Sequence, residues 1–431
     1  MVPWQMSTAF YRPIFARAAL FALAVGMSGP FLTLYAISLG ADSVDLGLLQ
    51  AAINVVPNVL QLPFGRLTDR WGKRKLILYI GSTIYFVIFI PILFVYTPKE
   101  YVLLLSIQSV ANAMMTPAFL SLIGDATTAE NRAGIMAKLN LLNGVGSLIA
   151  TLFASISVVL LFGASRSGYQ FMFLASLVFG AIATISVHSI REPKQKSIKE
   201  SMQPFRDLLK ITKTNPLYSQ FLFMSTVYGF FMSLMWPLTG LTLAKVHNAG
   251  VIEFGIIQIS AMVSYIISQN IFRHVFDRAG RVPVLVFSRF GLIVYPLMYA
   301  FSPNVYWLYV ANLIGGVFSA LADTSILAYL FDSTPSGQRG VYTSLYNLST
   351  GMSYFAGSVV GGALVAAATP FFGLIPALQY VYVISMLGRS ALAIMHQKLI
   401  ETKKAETNLR QALLEELHLG TSGKPRRPNL E

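Results

Sequence analysis

The sequence has no cysteine and little charge: of 431 residues 12% are Asp, Glu, Lys or Arg, and the acids number only 18. Without thiols there are no disulfides and no thiolate metal centres. Soluble domains carry charge at about one residue in four, so a water-soluble globule is excluded too. No G-x-x-x-x-G-K-[ST] loop is present to cradle a nucleotide phosphate, which argues against an ATP-driven pump. The histidines, His188, His247, His274, His396 and His418, are scattered, with no H-E-x-x-H or comparable spacing. No metal, cofactor or enzymatic activity is therefore expected.

What the chain has instead is apolar length: 55% of its residues are hydrophobic and its mean hydropathy is +0.61. Apolar runs of about 20 residues, enough to cross about 30 Å of hydrocarbon as a helix, recur almost throughout. In that solvent the backbone must satisfy itself within helices or a closed barrel. Barrel strands would alternate over roughly ten residues, whereas these runs are apolar on all sides. The fold class expected is all-α integral membrane, with spans near residues 14–38, 46–66, 76–96, 100–123, 136–162, 169–189, 217–243, 251–275, 283–301, 305–331, 341–366 and 371–396. The first run is too long for a signal-peptide core and lacks a clear small-x-small cleavage site, so it reads as a span.

A formal charge of +14 raises the question of nucleic acid, and its placement answers with a lipid bilayer. With the N-terminus in the cytoplasm, all but three of the 32 Lys and Arg (Lys99, Arg166 and Lys245) fall on cytoplasmic segments or on helix ends facing them. The expectation is a cytoplasmic (inner) membrane protein with both termini inside and no nucleic-acid partner. Residues 1–190 form one six-helix bundle, 191–216 a cytoplasmic linker, 217–397 a second bundle and 398–431 a tail. The linker carries seven basic and three acidic residues between Arg191 and Lys213, with Pro193 and Pro204 interrupting helix. In the tail, Ile400 to Leu417 reads as a short charged helix and Thr421 to Glu431 as disordered.

The two halves repeat one another. After the second span come Gly65, Asp69, Arg70, Trp71, Gly72, Lys73, Arg74 and Lys75; after the eighth come Asp277, Arg278, Ala279, Gly280 and Arg281, an Asp-Arg-x-Gly-basic core shifted by 208 residues. Asp125, Arg132, Asn140 and Gly144 are matched at a shift of 207 by Asp332, Arg339, Asn347 and Gly351. Two patterns at nearly one shift point to duplication, as in carriers built from repeated bundles. Gly65 and Gly72 are expected to permit a tight turn, and Asp69 to accept hydrogen bonds from a helix N-terminus.

At these residues the sequence resembles the major facilitator superfamily, whose signature between helices two and three is G-x-x-x-D-R-x-G-R-R-K or near it; Lys73 stands where Arg is frequent. The resemblance covers about the first 400 residues. It implies two pseudosymmetric six-helix bundles and alternating access. It also implies that Asp69 meets the start of helix eleven near Gly340, and that Lys73 or Arg74 pairs with Asp125 at the end of helix four, tying the halves together. Asp277, Arg281 and Asp332 would make the equivalent latch near the start of helix five. Such latches would form when the cavity faces outward and break when it faces inward.

Asp323 is the single acid well inside an apolar span, roughly 13 Å of helix rise from Asp332. It is a candidate to carry a proton or meet a cationic solute; the alternative is a structural pair with Arg289 or Arg389. Candidate cavity-lining residues are Asn54, Gln108, Asn140, Gln258 and Asn347, on helices that line the cavity in the resembling family, together with the aromatic Tyr228 and Trp236. The arginine of helix four seen in many proton-coupled relatives would fall near Gln108, and the antiporter glycine-proline signature of helix five is missing. No cation is expected deep in the first half, which argues against an anionic solute. The function implied is secondary transport of a small solute, with protons as a coupling partner and a monomer as the working form, and efflux of amphipathic compounds is favoured. Uptake of a sugar or organic acid, and a non-transporting receptor or scaffold, are the alternatives.

Overall fold

The computed structural model describes residues 8–127, 129–163, 165–190, 215–272, 275–335, 339–402 and 405–422. Among them every element is helical, and twelve helices are long and apolar enough to cross a membrane. These are α1 (Tyr11–Ser38), α2 (Ser43–Gln61, its helix continuing to Trp71), α3 (Arg74–Ile92), α4 (Pro98–Ala126), α5 (Gly134–Phe162), α6 (Arg166–Ser189), α7 (Pro216–Val246), α8 (Val251–Ile271), α9 (Arg281–Phe301), α10 (Val305–Asp332), α11 (Val341–Phe372) and α12 (Leu374–His396). A further short helix, α13, spans Leu409–Ser422. Large apolar side chains such as Ile84, Leu103, Leu160 and Phe371 stand exposed along the spans, as a hydrocarbon-facing surface requires. Of the expected linker 191–216, residues 191–214 lie outside the described residues, as do residues 423–431, while Pro216 already opens α7.

The duplication is written into the hydrogen bonds. Pro30 and Pro237 remove the amides that would bond the carbonyls four residues earlier, Gly26 and Ser233, and both helices break there, α1 into a 3-10 turn at Gly29–Phe31 and α7 after Ser233. Each stranded carbonyl is met by a hydroxyl from another helix: Thr151 on α5 donates to Gly26 O at 3.1 Å, and Ser358 on α11 donates to Ser233 O at 3.4 Å. Residues 151 and 358, like 26 and 233, are 207 apart. Ser176 on α6 and Ser385 on α12 likewise donate to Ala24 O and Phe231 O, each at 2.6 Å.

The chain divides into two compact units. One comprises Met1–Met202, Ser233–Ile259 and Gly351–Val381; the other comprises Gln203–Met232, Ser260–Thr350 and Tyr382–Glu431. The first unit therefore takes in, with the first half of the sequence, residues 233–246 of α7, 251–259 of α8 and 351–372 of α11. The turns at Gly72 and Gly280 mark the basic end of the unit each belongs to, and the end of the first unit remote from Gly72 is its far end.

The tail departs from expectation. Helix begins at Leu409 rather than near Ile400, because Asn408 caps it, its Oδ1 accepting from Gln411 N at 2.9 Å. Described residues before it contact the second bundle. Glu401 accepts from the amides of Arg281 and Val282, both at 2.9 Å, and so caps α9. The amides of Glu406 and Thr407 donate to Arg278 O, and Arg278 meets Glu415 at 2.5 Å. Ala412 is fully buried with Val275, Ala279, Val284 and Leu321. Ala279 makes this possible by its small size: its counterpart in the first repeat, Trp71, is 54% exposed among the described residues. An Ala412→Asp variant would place a charge in that apolar seat at a cost of several kcal/mol, so the tail should be clipped by protease at least about tenfold faster, read by mass spectrometry of digests. An unchanged clipping rate would mean that the tail is not docked there.

Candidate functional site

The basic end of each unit carries one of the repeated charge pairs. The helix of α2 runs through Asp69 and Arg70 to Trp71 and stops at Gly72, whose left-handed backbone (φ 61°) lets its amide close on Thr68 O at 3.1 Å. Gly280, at the matched place, also has positive φ (83°) but stands as the N-cap of α9 with an extended ψ of 169°. Gly65, expected in the turn, lies inside the helix, where a Cβ would stand 3.8 Å from Pro117; the helix runs on past Pro57 and Pro63 and stops only where Gly72 takes up the left-handed conformation. Arg74 forms an ion pair with Asp125, and Arg281 Nε donates to Asp332 Oδ2 at 2.9 Å. These pairs, again 207 residues apart, each lie within one half. Arg74–Asp125 thus ties α3 to α4, not half to half, because Arg74 opens the helix packed against the end of α4. Lys73 precedes α3 as an exposed residue, Lys75 donates to His188 O at 2.6 Å, and Arg339 sits 5.4 Å from the Phe331 ring. The side chains of Asp69, Arg132 and Asp277 lie outside the described residues.

The second half holds the intramembrane acid. Asp323 on α10 is exposed within the span and accepts a hydrogen bond from Tyr265 on α8 at 3.1 Å; Gln269 donates to the same hydroxyl at 3.0 Å. It makes no ion pair among the described residues. Arg289, the partner weighed for it, is 4% exposed and stacks 3.9 Å from the Tyr228 ring, with Nε lacking a hydrogen-bond partner. Arg389 is spent on backbone, donating to Leu292 O at 3.0 Å and Met232 O at 2.8 Å. Arg289 lies within electrostatic reach of Asp323, and so does Tyr346 on α11.

Of the other candidates, Asn54 is half-buried and its amide donates to Gln50 O at 2.8 Å. Trp236 packs 4.9 Å from the Tyr354 ring. Asn140 and Gln258 are exposed and Asn347 is half-buried. Two do not line a cavity. Gln108 is buried, donating to Tyr85 O on α3, and Tyr228 is fully buried against Arg289. Both polar ends are consumed by interhelical contacts, the usual fate of such groups in hydrocarbon. Arg17, which the sequence places near a span end, is only 3% exposed in the first half. Its guanidinium sits 4.2 Å from the Phe119 ring and reaches Ser82 Oγ at 3.3 Å, so the expected absence of a deep cation there does not hold. A cation in an aromatic seat needs no acid, and no charge-pair pattern could have signalled it.

The family model of the Major Facilitator Superfamily matches residues 14–236 and again 221–408. The chain belongs to that superfamily. It is a multi-pass membrane transporter of small solutes and not an enzyme, and its fold is the twelve-helix facilitator fold. An uncharacterised MFS-type transporter of Methanocaldococcus jannaschii is 23% identical over 79% of this chain and 87% of its own length. The multidrug resistance protein MdtG of Klebsiella pneumoniae is 27% identical over 45% of each chain. A class B tetracycline resistance protein of Escherichia coli is 32% identical over 22% of this chain and 24% of its own. Among solved structures, the nucleoside transporter NupG superposes with a TM-score of 0.75 at 17% identity, covering 90% of this facilitator and 99% of NupG; that likeness is one of fold.

Proposed function

We propose that this transporter exports amphipathic, ring-bearing compounds across the cytoplasmic membrane by alternating access, with proton entry as the driving force and Asp323 as the proton-carrying group. The observation that carries the reading is the placement of Asp323: an acid within a span, exposed, hydrogen-bonded to Tyr265 and without a salt bridge. Ionised carboxylates are costly at that depth, so the group is a natural exchanger of protons. The names of the multidrug and tetracycline resistance relatives favour efflux. The basic end faces the cytoplasm in this reading, as the distribution of Lys and Arg requires, and a single chain is the working unit. The pairs Arg74–Asp125 and Arg281–Asp332 brace the two turns at that end, so that each half moves as a body.

The test is transport of an amphipathic dye in proteoliposomes with and without an imposed pH gradient. The wild-type protein should accelerate dye movement when the gradient is imposed. Asp323→Asn keeps shape and hydrogen bonding but cannot take up a proton; it should lose the gradient-driven component, by about tenfold or more, while retaining downhill exchange. Equal responses of the two proteins to the gradient would rule out coupling at this residue.

A further inference from the structure

Each half opens its third helix with an arginine that reaches the fourth: Arg74 pairs with Asp125 at the end of α4, and Arg281 with Asp332 at the end of α10. The first half adds a second tie from the same place. Lys75 donates to His188 O at 2.6 Å, and His188 lies in the last turn of α6. The start of α3 is thereby held to the end of the sixth helix as well as to the end of the fourth. In the second half the residue 207 on from Lys75 is Val282, buried and apolar. Its side chain has nothing to donate, so a matching tie between α9 and the end of α12 must come from elsewhere.

The tail supplies it. Main-chain turns carry α12 on to Leu399, whose side chain is buried with Leu285 of α9 and Tyr329 of α10. Tyr329 also donates its hydroxyl to Ile400 O at 3.0 Å. Glu401 then accepts from the amides of Arg281 and Val282, both at 2.9 Å. Those amides open α9 and have no partner within the helix, and the helix dipole favours a carboxylate there. Gly280 admits the approach: a Cβ on it would fall 2.8 Å from Glu401 Oε2. Beyond Glu401 the tail is fastened again, by the amides of Glu406 and Thr407 on Arg278 O, by Glu415 on the Arg278 side chain and by Ala412 in its apolar seat.

We propose that the tail is a strap that braces the second half for movement, with Glu401 as its positioning residue. Glu401 does for α9 and α12 what Lys75 does for α3 and α6, with the opposite charge and from the opposite partner. The need for such a tie is mechanical. A half that rocks as a body must carry its third and sixth helices together, and α3 and α6 pack along one another. Apolar helix faces resist sliding only weakly in a bilayer, because lipid tails solvate a newly exposed apolar face as well as the neighbouring helix did. A hydrogen-bonded tie between the helix ends fixes their register. The strap lies at those ends, so the proposal requires neither a particular cargo nor coupling at Asp323.

The chain has no cysteine, so two introduced thiols carry spin labels on the full-length protein without background. Labels at Phe287→Cys and Gln397→Cys, both exposed positions, read the separation of α9 and α12; labels at Ile80→Cys and Ser189→Cys read α3 and α6. Pulsed electron paramagnetic resonance in liposomes should give a narrow distance distribution for each pair. Glu401→Ala should broaden the 287–397 distribution about twofold and leave 80–189 unchanged, and Lys75→Ala should do the reverse. Adding Val282→Lys to Glu401→Ala rebuilds the first-half tie and should narrow 287–397 again. Turnover of the amphipathic dye should follow the same order, falling about tenfold in Glu401→Ala at unchanged half-saturation and recovering with Val282→Lys. The strap is overturned if Glu401→Ala keeps the distribution narrow, if Val282→Lys fails to restore it, or if the distribution broadens while turnover stays at the wild-type rate. Should Glu401→Ala not fold, Glu401→Gln, which keeps one acceptor oxygen, serves in its place with a smaller broadening. A wild-type protein that moves no dye would count against the export reading alone, with the label distances still deciding the strap.

Discussion

Gly47→Val should reduce transport to about a tenth of the wild-type rate or less while leaving the protein folded and able to bind solute. At the far end α2 and α11 touch through backbone: a Cβ on Gly47 would fall 2.8 Å from Ser358 O and 3.5 Å from Gly362 Cα. Neither neighbour is a movable side chain, so the two helices must separate, and overpacking of this kind costs about 1–3 kcal/mol. That penalty applies only to the conformation in which this end is shut, so it shifts the population away from closure by roughly tenfold or more. The duplicated contact provides a control. A Cβ on Gly255 of α8 would collide with the Ser155 side chain of α5 rather than with backbone. Gly255→Ala should therefore also slow transport, and Ser155→Gly should restore it, whereas no side-chain deletion should rescue Gly47→Val. A series from Ala to Val to Leu at position 47 that left the turnover rate flat would show that closure here is not part of the cycle.

Much of this architecture was legible in the residues, because hydrocarbon leaves a chain few options. Twelve apolar runs gave twelve helices, and the matched Asp125 and Asp332 turned out to hold matched arginines. Pro30 and Pro237 carry the same shift and predict breaks at corresponding places in α1 and α7, although which hydroxyls answer them depends on tertiary packing that a linear pattern does not encode. The site was less readable for a related reason. Gln108 and Asn54 look alike in sequence, both being amides in apolar runs. Packing alone decides that Gln108 serves Tyr85 O on a neighbouring helix while Asn54 donates to Gln50 O of its own. Tyr354 was not singled out, since one more aromatic on a helix rich in small residues carries no signal until Trp236 is seen beside it. The tail misled for a simpler reason: its composition suits a helix from Ile400 onward, but Glu401 is held by the α9 amides and Asn408 sets the start.

Arg389→Met should be among the most damaging single substitutions in the second half, with folded yield in detergent falling severalfold and the thermal midpoint dropping by several degrees. The reason is again a proline. Pro296 withholds the amide that would meet Leu292 O, and α9 breaks at Leu292–Ile293. The Arg389 guanidinium, 2% exposed, donates to that carbonyl at 3.0 Å and to Met232 O, beside the break in α7, at 2.8 Å. One planar fork thus satisfies two interrupted helices, which a shorter or single-pointed donor cannot reproduce. Methionine fills much of the volume but leaves two carbonyls unmet in a region without water, at about 1–3 kcal/mol each. Lysine can reach one carbonyl at a time and should recover only part of the loss. If Arg389→Lys proved as stable as wild type, a single bond would suffice, and the fork could not be what holds the breaks of α7 and α9 in register.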